Sequence, residues 1–94
     1  MKNRWTLEGR ILERAAVRYT PAGVPIVSFL LHHCSQAEEA GVPRQVEMKV
    51  PAVAAGKMSG VLERCALNRT FRFTGFVAPH RRNSRTWILH ITGL

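Results

Sequence analysis

The chain has 94 residues, with 14 Lys and Arg against 6 acids and a net charge of +8. All the acids are Glu, which excludes a Ser-His-Asp triad, an Asp-lined EF-hand loop and Walker-B metal ligation. A hydrophobic content of 46% excludes a disordered tail, the length allows one domain over residues 1–94, and no apolar run reaches the ~18 residues of a membrane span.

Turn-forming residues divide the chain into five strand-like runs and one short helix. The first run is Trp5 to Arg14. Trp5, Leu7, Gly9 and Ile11 share one face, and Thr6, Glu8 and Arg10 the other. Gly9 inside it predicts a bulge or sharp bend. The first loop holds Pro21-Ala22-Gly23, where Pro21 presets φ and Gly23 permits a positive one. The second run, Ile26 to His33, sets Val27, Phe29 and Leu31 on one face. Glu38 and Glu39 fall in the loop after it and read as solvated. The third run, Arg44 to Val50, points Val46, Met48 and Val50 one way and Gln45, Glu47 and Lys49 the other. In the next stretch, Ala54, Met58, Val61, Leu62 and Cys65 have helical spacing. Gly56 and Gly60 each cost about 1 kcal/mol inside a helix, so the expected helix is short, Ser59 to Ala66. The fourth run is Arg69 to Val77, with Phe71 and Phe73 on one face. The fifth is Thr86 to Thr92, with Trp87, Leu89 and Ile91 opposite Ile88 and His90. Phe29, Phe71 and Phe73 read as core; Trp5, Tyr19 and Phe76 stay unassigned.

Three strands, a helical connection and two strands is the order of the OB-fold, a five-stranded Greek-key barrel. The expected class is therefore all-β with one short helix. The binding face of such a barrel lies on its second and third strands, flanked by the first and last loops.

A sequence pI of 11.1 points to a polyanionic partner. The densest cationic constellation is Arg81, Arg82 and Arg85, in the turn between the fourth and fifth strands, with no acid near it in sequence. Arginine suits such a site because its planar fork bonds phosphate bidentately and stacks on bases. Arg14 and Arg18 lie before and in the first loop, at the opposite rim. Arg44 and Lys49 lie next to and on the third strand. Trp87 stands two residues after Arg85. It fits a groove mouth, where it would stack on a base, and it fits a plug in the barrel end. His32 and Cys34 share a strand face, but two ligands fall short of the four of a structural zinc site. No nucleophile elbow, phosphate-cradling Gly loop or HExxH is present. The expectation is a non-catalytic protein with no metal and no cofactor. The N-terminus lacks the uninterrupted apolar stretch of a signal peptide, and two cysteines are too few for a disulfide scaffold. A cytoplasmic, reduced protein is expected.

Several segments together carry a resemblance. They are Met1-Lys2-Asn3-Arg4 ahead of a strand with Gly9, Thr20-Pro21-Ala22-Gly23-Val24-Pro25, Glu38-Glu39-Ala40-Gly41, Arg44-Gln45, and Thr74-Gly75-Phe76-Val77 followed by His80 and the basic loop. The chain resembles the family of primosomal replication protein N, the bacterial primosome subunit called PriB. The resemblance implies an OB-fold homodimer related to single-stranded DNA-binding protein. It also implies binding of single-stranded DNA and contact with the primosomal helicase and other primosome proteins in replication restart. The apolar residues of the first strand, Trp5, Leu7, Ile11 and Leu12, exceed a small barrel's needs and fit a homodimer. Arg81, Arg82, Arg85 and Arg18 match basic positions of the family. Where the family can carry Trp on the third strand this chain has Glu47, and where it can carry Arg at the end of the second it has Cys34. Those departures imply either a weaker affinity for single-stranded DNA or a footprint moved toward the loops. An RNA-binding OB module and a purely protein-binding adaptor remain as alternative functions.

Overall fold

A computed structural model describes residues 1–94. The elements run β1 (Trp5–Arg14), β2 (Arg18–Tyr19), β3 (Pro25–Glu39), β4 (Val42–Ala55), α1 (Lys57–Glu63), β5 (Thr70–Pro79) and β6 (Trp87–Gly93). The sheet order is β1-β5-β6-β4-β3-β2, and a further β1–β3 pairing closes five strands into a barrel. All pairings are antiparallel except β4–β6. This is the OB-fold expected from the element order.

Alternation decides what lies inside. Val27, Phe29 and Leu31 of β3, Val50, Ala52 and Ala54 of β4, Phe73 of β5, and Leu89 and Ile91 of β6 form the core with Ile11. Phe71 is half-buried and packs against this core. Leu62 and Cys65 close the barrel end at which β1 and β4 finish and β3 begins.

Four expectations need correction. Of the two readings of Gly9, the bulge is not seen, since β1 keeps a regular register with β5 through it; a Cβ there would stand 3.0 Å from the carbonyl oxygen of His32, so the residue permits close approach of β1 to β3. The register shift instead falls between Ile11 and Glu13. The helix starts earlier than predicted, at Lys57, because Gly56 takes φ 67° at the N-cap and the Ser59 hydroxyl donates to the Gly56 carbonyl at 2.6 Å. Glu38 and Glu39 are strand residues, since β3 and β4 continue as a hairpin arm closed by Ala40 and Gly41, both at positive φ. The apolar surplus of β1 is also smaller than its sequence implies. Ile11 is wholly buried in the chain's own core and Leu7 packs against that core.

Candidate nucleic-acid interface

The antiparallel register puts Ser28, Leu30, His32 and Cys34 of β3 opposite Val53, Pro51, Lys49 and Glu47 of β4. All alternate with core residues, so they form the barrel's outer face. On β6, His90 lies beside Val53. Phe76 of β5 pairs with His90, and their rings stack at 4.8 Å with an 8° interplanar angle.

A row of polar groups crosses this face. The Arg10 guanidinium of β1 donates to His32 Nδ1 at 3.0 Å. In the neutral ring that places the proton on Nε2, which lies 3.7 Å from the Glu47 carboxylate. Lys49 is the cross-strand partner of His32. Arg10 was missed by sequence reading. Its alternation puts it on the outer face, but only the β1–β3 register puts it next to His32.

The two rims meet across a groove. Arg18, Ser28, Val53, His80 and His90 line it. Arg18 of β2 donates to the Ser28 hydroxyl at 2.8 Å and stays exposed. His80 opens the turn between β5 and β6. That turn is held by His80 N–H donating to Thr86 O at 2.8 Å, Ser84 N–H to Arg81 O at 2.9 Å, and a positive φ at Asn83. Arg81, Arg82 and Arg85 are exposed and take part in neither of the molecule's ion pairs. Their donors face water, as a phosphate-binding loop requires.

Two expected contact residues are otherwise engaged. Arg14 NH1 donates to the carbonyls of Leu62 and Cys65 at 2.8 and 2.7 Å. It adds a side-chain donor to the Leu62 carbonyl, which also accepts from the Cys65 N–H at 3.3 Å, and to the Cys65 carbonyl just past α1, and its charge suits the negative end of the helix. Arg14 is structural and leaves the set of contact candidates. Arg14→Ala should destabilise the fold by about 1.5–3 kcal/mol, because hydrogen bonds to charged groups contribute that much. Chemical denaturation measures this, and nucleic-acid affinity of the folded variant should not change. Arg44 lies on the hairpin arm and pairs with Glu39 at 2.7 Å, with both side chains exposed. Trp87 does not plug the barrel; it is half exposed, and its ring stacks on that of Trp5.

Over residues 3–93 the chain matches a family described as "another single-strand binding protein family". The replication restart protein PriB of Bordetella pertussis is 42% identical over 89 residues, spanning 95% of this chain and 83% of that protein. The chain belongs to the PriB family. PriB of Nitrosomonas europaea is 36% identical over 90 residues, spanning 96% of this chain and 83% of that one. The solved structure of PriB from Ralstonia solanacearum superposes with a TM-score of 0.89 at 43% identity, covering 99% of this chain and 95% of that chain.

The two departures that the resemblance to PriB implies, Cys34 and Glu47, fall at one place on the face. They are cross-strand partners on the outer face, the one residue directly beside the other. The middle of the face thus carries a thiol and a carboxylate where the resemblance allows a guanidinium and an indole. The rims keep their cations.

Proposed function

We propose that this PriB-family chain, residues 1–94, acts as one non-catalytic OB unit that binds single-stranded DNA. It serves as a primosome adaptor in replication restart, in the cytoplasm, and meets the primosomal helicase and other primosome proteins. The observation that carries this reading is the unpaired cationic turn of Arg81, Arg82 and Arg85 at the rim of the groove that Arg18 also lines. Phosphates bind at both rims, with Lys49 between them. No helix is long and apolar enough to cross a membrane. Competition between oligo-dT, oligo-U and duplex tests the reading. Single-stranded DNA should win, and equal or tighter oligo-U binding would point to RNA.

The middle of the face has a repelling carboxylate. Glu47→Trp removes it and adds a π-face, worth about 1–3 kcal/mol per stacked base. Fluorescence anisotropy with labelled oligo-dT should show tighter binding by that amount.

The chain works as a homodimer. Trp5 to Glu8 pair with β5 on one side, while β3 pairs with β1 only from Arg10 onward. That leaves an open strand edge, and a second copy is a natural cover for it. Sedimentation at micromolar concentration should give twice the 10.6 kDa chain mass. A monomer alone would overturn this.

A further inference from the structure

The two tryptophans of the chain meet at the barrel end opposite α1, where β1 and β6 begin. Their ring centroids are 6.3 Å apart at an interplanar angle of 27°. Trp5 is 47% exposed and Trp87 50%, so neither is core. Trp5 is also held in place. The Trp5 indole N–H donates to Asn3 Oδ1 at 3.2 Å, and Asn3 is tied to the backbone of Val77 through its amide and its carbonyl oxygen. Trp87 lies between two shallow clefts. One contains Arg85 and Trp5, and the other Lys49 and Pro51. No acid lines either cleft. Preset aromatic faces flanked only by cations match the chemistry of a nucleobase with a phosphate on each side.

We infer that the Trp5–Trp87 pair is a base-stacking platform, with a base of single-stranded DNA on the rings and flanking phosphates at Lys49 and Arg85. The inference rests on the single-stranded DNA reading above. It places the aromatic contact at the end of the barrel, away from the Cys34–Glu47 position on its side. A protein partner fits less well, because the clefts offer cations to both sides of the rings.

These are the only tryptophans, so tryptophan emission, excited apart from Tyr19, reports on the platform alone. Oligo-dT should quench it, with the same midpoint as the anisotropy of a labelled oligonucleotide. Trp87→Ala should weaken binding by about 5- to 100-fold with an unchanged salt slope, since stacking releases no counterions. Trp87→Phe should keep most of the affinity, because it keeps a π-face. Circular dichroism checks that each variant is folded. Labelled oligo-dT that binds without changing tryptophan emission, or equally well to Trp87→Ala, would overturn the platform and leave the DNA reading standing. Absence of oligo-dT binding to the native protein would overturn both. A sedimentation change in Trp5→Ala with unaltered DNA affinity would assign the rings to contact between copies, and so contradict the platform.

Discussion

Replacing Arg81, Arg82 and Arg85 together by Ala should flatten the salt dependence of single-stranded DNA binding by about 2 units of slope. Each phosphate neutralised on a single strand contributes about −0.7 to the slope of log K against log salt, through release of condensed counterions. The three guanidiniums are exposed and outside both ion pairs, so each has its charge to give. The same relation implies a loss of affinity of about 100-fold at 0.1 M salt. The loss should be alike for all sequences, because phosphate contacts carry no base information. The turn is held by backbone bonds and by Ser84, none of which uses an arginine side chain, so the fold should survive. Anisotropy titrations at four or five salt concentrations measure slope and affinity together. An unchanged slope in a folded variant would remove the loop from the binding site.

Phe73→Ala should have the largest effect on stability. Phe73 is fully buried, with its ring 6.3 Å from that of Phe29 and 6.1 Å from that of Phe71. It is the largest fully buried side chain of the barrel, and β1 and β6 pair with its strand on either side. Phe→Ala in a close-packed core costs about 3–5 kcal/mol through lost burial and the cavity left behind. A domain of this size is stable by about 5–15 kcal/mol, so the variant should sit near the edge of folding. Thermal unfolding should shift down by at least about 12 °C. Phe71→Ala is the contrast. Phe71 is only half-buried, with the Arg69 guanidinium 5.6 Å from its ring centre, and its loss should cost clearly less. Equal losses would mean that the core is not centred on Phe73.

Barrel strands were legible because one face of each is apolar. β1 was bounded correctly from alternation alone, and β5 and β6 to within two residues or fewer. The outer end of the arm, from Cys34 to Pro43, was not legible. It has water on both faces, so Gln36, Glu38 and Glu39 show no apolar period, whereas Arg44 to Val50 was read from the alternation of Val46, Met48 and Val50. Its turn uses Ala40 at φ 53°, a conformation that Ala seldom adopts and that no propensity argument selects. The cationic turn was legible because charge density survives without knowledge of register. Contacts that depend on register were not. Arg14 reads as one more basic residue until β1 is seen to end beside the last carbonyls of α1. Trp5 and Trp87 lie 82 positions apart in the chain (87 − 5), and only the barrel brings them together.

The most direct measurement is the titration of fluorescently labelled oligo-dT with the native protein across a range of salt, with a duplex competitor. Arg18, Lys49, Arg81, Arg82 and Arg85 each on one phosphate give a slope of log K against log salt on the order of −3, and the duplex should compete poorly. No binding of oligo-dT at low salt, or a slope near zero, would contradict a cationic single-stranded DNA interface and leave the chain as an adaptor between proteins.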